Sequence, residues 1–308
     1  MACTDPPFAD APVDAFRRDG VVCVRGALQA SWVARIREGL DRLRKDPSAL
    51  RGRRIDPLAF LGDSYVWKLD RTFRDVAFES PIAAIAQPFL NSDSVRLFHD
   101  QLFVKPAGCS IETPWHHDIA FWPLSGRQIC TVWVALSPID RRNAPLEFVR
   151  APDRHLHRYK AVRPDRLPYM LESDLDEPPD VDARRAEMDV VSWDLEPGDA
   201  LVFDAWVLHG ASSNPSGSDR IAMAWRWLGD DVHFDPRPAT IRFRWHHGLS
   251  PGQSMGGPLF PQVLPHPLKS EQTALRDCAR PDPVLVDANR RAYADAERRV
   301  RARASKTT

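Results

Sequence analysis

The spacing of apolar positions changes part-way along this chain. Trp32, Val33, Ile36, Leu40 and Leu43 recur three and four residues apart, with Arg35, Arg37, Glu38 and Arg42 mostly outside that stripe. This spacing predicts an amphipathic helix from Ser31, as its N-cap, to Lys45, stopped by Asp46-Pro47. Just before it, Val21-Val22-Cys23-Val24 reads as a short buried strand. Arg51 to Asp63 is basic and loop-like. Tyr65 to Leu69 reads as a strand with Trp67 and Leu69 on one face and Lys68 on the other, and Ser80 to Leu90 reads as a short helix with Pro81 near its first turn.

From Val95 the texture turns to β-branched and aromatic runs separated by turns: Val95–Val104, Ile129–Leu136, Leu146–Val149, Ala200–Phe203 and Ile221–Leu228. Strands at this density without intervening helices predict an antiparallel sandwich or barrel. Arg158 to Val190 interrupts them. It is charged, rich in proline and long for a plain connection, which fits a lid or a disordered segment. After Asp230 the prolines imply an extended wrap, and a basic helix from about Asp287 to Arg303 reads as a solvated surface element. No internal repeat or second domain is visible. The expected layout is a single domain over 1–308: a helical region about 1–94, a barrel about 95–250 with a lid-like insertion about 158–190, and a C-terminal wrap and helix about 251–308.

Composition narrows the function classes. With 308 residues, 43% apolar and 27% charged, the chain is an ordinary globular one with a sizeable core. Lys plus Arg and Asp plus Glu both total 42, so charge gives no reason to expect nucleic acid or an anionic membrane as partner. Five scattered cysteines, with no C-x-x-C, read as reduced thiols, Cys109 and Cys130 among them as inert buried ones. The first residues show no secretion signal and no apolar run has membrane length, so the expected location is the cytoplasm. Twenty-eight prolines and ten tryptophans suggest loops around aromatic-walled cavities.

The chemistry concentrates in Thr113-Pro114-Trp115-His116-His117-Asp118. On an extended strand His116 and Asp118 leave one face and His117 the other. An imidazole beside a carboxylate is two-thirds of a facial metal site, though such a triplet also arises by chance around a merely hydrogen-bonded histidine. Among ten histidines, His99 is one candidate for the missing ligand and His155 reads as a structural loop residue. His209 stands out, because it follows the buried strand Ala200–Phe203 and precedes the polar turn 212–219. That turn is expected to fold two strands back on each other, bringing His209 and Arg220 near one interior face. An arginine inside a barrel needs a partner, and Asp219 points the other way. A small-molecule carboxylate held bidentately therefore becomes plausible.

These residues resemble the phytanoyl-CoA dioxygenase family of Fe(II)/2-oxoglutarate oxygenases: H-x-D at 116–118, then His209, then Arg220 eleven residues on. The stretch His99-Asp100-Gln101-Leu102-Phe103-Val104-Lys105-Pro106 looks like the family strand before the metal motif, and Cys130 to Leu136 looks like its tryptophan strand, with Trp133 as the matching residue. Asn143-Ala144-Pro145-Leu146 and the later His155 are similar to the family's N-G-x-L and P-G-S-H segments, although the glycine-serine turn is missing. Ala211 stands where some members carry a serine. The likeness runs from about Phe16 to Pro265.

The resemblance implies a mainly β fold with flanking helices, a cupin-like double-stranded β-helix or jelly-roll barrel. It implies Fe(II) on His116, Asp118 and His209, with 2-oxoglutarate held by Arg220 near Gln101, Trp133 and Lys68, while Phe121 and Trp122 wall a substrate pocket. The implied reaction consumes O2 and a small-molecule substrate, lipid-like or a secondary metabolite, and releases succinate and CO2. Related halogenases carry a small residue at the position of Asp118, so a carboxylate there points to hydroxylation or another oxidation. Two other readings use the same barrel: a metal-binding protein without turnover, and a redox-silent cupin-like isomerase or hydrolase in which Arg220 binds the substrate. Oligomeric state has no sequence signal.

Overall fold

The computed structural model describes residues 10–45, 61–162, 175–238, 240–271 and 281–304. In chain order the first elements are α1 (Asp10–Asp19), β1 (Val21–Val24), α2 (Ala30–Lys45), β2 (Leu61–Ser64), α3 (Val66–Leu69), α4 (Arg71–Glu79) and α5 (Ile82–Leu90). Next come β3 (Val95–Lys105), β4 (Thr113–His116), β5 (Leu124–Ser125), β6 (Ile129–Ala135), β7 (Glu147–Val149) and β8 (Val190–Ser192). The last are β9 (Ala200–Asp204), β10 (His209–Ala211), β11 (Arg220–Leu228), β12 (His233–Phe234), β13 (Gln262–Leu264) and α6 (Pro283–Ala304).

Two antiparallel sheets make the jelly roll. The larger runs β1-β9-β6-β11-β3-β13, with β2 also on β3, and the smaller runs β4-β10-β7-β8. Alternation along the large sheet sorts side chains into two cores. On β6, Val132 and Val134 join the cluster under α2, α4 and α5, whereas Trp133 and Ala135 face the barrel interior. β11 repeats the rule: Met223, Trp225 and Trp227 go to the helical side, Ala222 and Ala224 inward. Both faces are buried, which is why these strands read as nearly unbroken apolar runs. Each large side chain so buried contributes about 1.5–3 kcal/mol.

Three expectations are corrected. Tyr65 to Leu69 is not a strand: Tyr65 takes the left-handed conformation (φ 63°) and α3 follows as one helical turn. The buried Asp100 carboxyl group accepts the Trp67 N–H (3.0 Å), satisfying a donor that a short helix leaves open. Val66, Trp67 and Lys68 are all buried, so the face assignment carried no information. Second, part of the expected loop 51–63 is a strand, since Leu61, Gly62 and Asp63 pair with Val104, Phe103 and Leu102; residues 51–60, like Asp46-Pro47, lie outside the described ones. Third, β10 and β11 do not fold back on each other. They belong to opposite sheets, and the turn between them is a crossover. The buried Asn214 amide fixes that crossover by donating to the carbonyls of Lys105 (3.0 Å), Pro106 (2.9 Å) and Ser218 (2.9 Å).

Of the segment 158–190, residues 163–174 lie outside the described ones, while Val181 packs against Val149 and Leu208 and β8 adds an edge to β7. Helix α6 begins a turn earlier than Asp287, and its Asn289 amide donates to the Phe243 carbonyl (2.9 Å). Among the described residues, no helix is long and apolar enough to cross a membrane.

Candidate metal centre

The small sheet puts His209 of β10 directly opposite His116 at the end of β4. β4 stops there. His117 is extended and Asp118 opens a single 3-10 turn, Asp118–Ala120, so the expectation of two ligands on one strand is corrected for Asp118. The turn nevertheless swings its carboxylate back. Asp118 Oδ1 lies 3.8 Å from His116 Nε2 and 4.0 Å from His209 Nε2, and one donor atom from each of the three residues lies within 4.8 Å of the others.

Backbone geometry fixes the tautomers. His116 Nδ1 is 2.7 Å from the Pro114 carbonyl and His209 Nδ1 is 3.1 Å from the Val207 carbonyl. A carbonyl only accepts, so each Nδ1 carries the proton and each Nε2 keeps its lone pair toward the shared point. Burial, and then the nearby His116, push His209 down to about 3, so it is a neutral ligand at ordinary pH. The Thr131 hydroxyl, 3.5 Å from Asp118 Oδ2, steadies the other carboxylate oxygen. Two imidazoles and a carboxylate suit a divalent metal of the non-haem iron kind. His117 turns away as expected: its Nε2 accepts the Tyr159 N–H (3.0 Å), and burial pushes it down to about 4.

Arg220 starts β11 at the crossover end of the barrel, opposite Lys105 and only 2% exposed. One terminal nitrogen donates to the Ala144 carbonyl (2.8 Å), the guanidinium carbon is 5.6 Å from the Trp133 ring centre, and Nε has no partner. Burial lowers it to about 10, leaving it cationic at neutral pH. Among the described residues no carboxylate pairs with it, which fits a group reserved for an anionic ligand. Gln101 and Trp133 flank Ala224 in register, and Ala222 pairs with Ala135, so small residues occupy β11 and β6 between Arg220 and the level of Gln101.

Lys68 is placed differently. Its ammonium lies 4.7 Å over the Trp67 ring, part of the core on the helical side of β3. The Phe121 ring meets His116 edge-on at 5.6 Å, while Trp122 packs on Phe98 (5.5 Å) and His99 (5.7 Å). His155 is structural, its Nε2 2.9 Å from Asp204, and Cys130 is buried, its thiol pushed upward. Sequence reasoning missed Thr131, Lys105 and Arg226. Parity was the available signal, since Thr131 shares a face with Trp133, Arg226 with Arg220 and Lys105 with Gln101.

The family model described as phytanoyl-CoA dioxygenase (PhyH) matches residues 16–222. A curated relative, ectoine dioxygenase of Stutzerimonas stutzeri (strain A1501), is 25% identical over 263 residues, covering 77% of this chain and 85% of that protein. Among solved structures, the non-haem alpha-ketoglutarate-dependent carbocyclase SnoK of nogalamycin biosynthesis matches with a TM-score of 0.66 at 21% identity, over 85% of this chain and 99% of that one. EctD from S. alaskensis, solved with 2-oxoglutarate and 5-hydroxyectoine, matches with a TM-score of 0.59 at 18% identity, over 78% and 83%. The chain belongs to the phytanoyl-CoA dioxygenase family, and with it to the dioxygenases that use iron(II) and 2-oxoglutarate.

Proposed function

We propose that this protein couples the oxidative decarboxylation of 2-oxoglutarate to hydroxylation, or a related oxidation, of a C–H bond in a small organic molecule. The observation that carries the reading is the meeting of His116, Asp118 and His209, both histidines turned by their own backbone to offer Nε2. Iron(II) held there supplies the redox chemistry with O2. The chain's own contribution is placement and exclusion of water. His116, Asp118 and His209 would hold the metal with three protein donors, a set that keeps coordination positions free for co-substrate and O2. Arg220 grips the distal carboxylate of 2-oxoglutarate and so sets the keto acid end toward the metal. Gln101 and Trp133 flank the co-substrate, and Phe121, edge-on to His116, walls the substrate side. A carboxylate at 118 occupies the position that halogenases leave to halide, which favours oxygenation.

Anaerobic titration of the apoprotein with Fe(II) and then 2-oxoglutarate tests the reading. A visible metal-to-ligand band, followed by succinate release on admitting O2, is expected. Absence of the band, or turnover of a substrate without O2 and 2-oxoglutarate, would overturn it in favour of a redox-silent barrel enzyme.

A further inference from the structure

β11 carries a second buried guanidinium. Arg226 is 5% exposed, and its Nε and one terminal nitrogen have no hydrogen-bond partner among the described residues. Burying a guanidinium with unused N–H groups is costly, so a chain that keeps one has a use for it. Its position says what the use is. Arg226 pairs with His99 on one side and Thr131 on the other, and Thr131 is the residue whose hydroxyl reaches Asp118. Alternation from the inward pair Ala224–Gln101 puts Arg226 and His99 on the same inward face, and the bulge in β3 comes only after them, where Trp227 pairs with Leu97. The guanidinium carbon is 5.5 Å from the Phe103 ring centre and 5.9 Å from that of Trp122.

Arg226 is therefore level with the metal, whereas Arg220, six residues earlier, marks the crossover end, roughly 20 Å of strand away. Bound between the three candidate ligands and Arg220, 2-oxoglutarate would take Arg220 as its counter-ion and leave the unused N–H groups of Arg226 to another anion. Burial lowers the Arg226 guanidinium; Asp118 and then Asp100 act the other way, and neither hydrogen-bonds to it. We infer that Arg226 anchors a carboxylate of the organic substrate, so that the enzyme acts on small organic acids with an apolar body lying against Phe103 and Trp122. The inference rests on the function proposed above.

The test uses the full chain loaded anaerobically with Fe(II) and 2-oxoglutarate. It is titrated with hexanoate, phenylacetate and N-acetylleucine, and in parallel with the methyl ester of each, while the visible band is followed. At least one acid is expected to shift the band and its ester not to. Arg226→Met should weaken that response by about tenfold or more, and Arg226→Lys should keep part of it, with 2-oxoglutarate affinity in both variants within about twofold of the parent. Esters acting as well as acids, acids acting equally on Arg226→Met, or no response across the panel would each overturn the inference. Loss of iron or 2-oxoglutarate affinity in Arg226→Met, by about tenfold, would overturn it in favour of service to the metal or co-substrate. A missing band in the parent protein would overturn the iron and 2-oxoglutarate reading itself, and this inference with it.

Discussion

His116 and His209 face each other across the β4–β10 ladder, their ring centres 4.2 Å apart, although the two residues come from opposite halves of the barrel sequence. Each imidazole is held by the carbonyl two residues before it, and Phe203 (4.9 Å) and Phe148 (5.7 Å) pack on the His209 ring, so the pair is oriented before any ligand arrives. Such preorganisation makes the site sensitive to loss of any donor. His209→Ala, His116→Ala and Asp118→Ala should each lower Fe(II) affinity by about 100-fold or more, since even outer partners of a metal site cost tenfold to 100-fold. Equilibrium dialysis with Fe(II) measures this, and 2-oxoglutarate-dependent succinate should fall with it.

Thr131 steadies the far oxygen of Asp118 through a long contact of 3.5 Å. Thr131→Val keeps the volume and removes the donor. About a tenfold loss of Fe(II) affinity is expected, with the fold unchanged by circular dichroism.

Arg220 has no carboxylate partner within the described protein, so its charge should matter to binding and not to folding. Arg220→Met should raise the Kd for 2-oxoglutarate by about 10- to 100-fold, the worth of a charged hydrogen bond. Its Tm should equal or exceed that of the parent, because an uncompensated buried charge is gone. A Tm lower by several degrees with unchanged Kd would make Arg220 a structural residue.

Lys105 pairs with Arg220 in register, and burial, followed by the Arg220 charge, holds its ammonium down to about 7. Its folded pKa lies below the ordinary lysine value, so the free protein sheds this proton as pH rises through about 7. A dianionic co-substrate at the same end of the barrel favours the protonated form and takes a proton up on binding. The Kd for 2-oxoglutarate should therefore rise between pH 7 and 8.5, at most about tenfold per unit, and Lys105→Met should flatten that slope. Calorimetry in two buffers of different ionisation enthalpy would count the proton.

Asp100 is fully buried, and burial raises its carboxyl well above the usual range. The folded state holds a proton that the unfolded chain releases near pH 4, so this group's contribution is greatest below that pH and is lost as pH rises. Asp100→Asn cannot ionise and can still accept the Trp67 N–H. It should melt above the parent at pH 7 and level with it near pH 4. Asp100→Ala leaves that donor unmet and should cost about 1–3 kcal/mol at either pH.

Much of the site was legible because its signals are local. H-x-D, an isolated histidine behind a buried strand, and an arginine opening an apolar strand are each chemically conspicuous, and their order matched a family pattern. The large-sheet strands were legible too, since long β-branched runs have few other uses. Tyr65 to Leu69 shows where such reading fails. A short, mostly apolar stretch fits a strand or a helical turn equally well, and only the distant Asp100 carboxyl decides between them.

By itself, then, the sequence determined which residues can ligate and which stretches must be buried, because donor chemistry and hydrophobic period belong to each residue and its near neighbours. Tertiary structure alone decided that Asp118 reaches the histidines from a 3-10 turn. It also decided that His209 and Arg220 sit in opposite sheets and that Arg226 pairs with Thr131, beside Asp118. Those facts follow from strand register and a crossover pinned by Asn214, which are set by contacts among residues far apart in the chain.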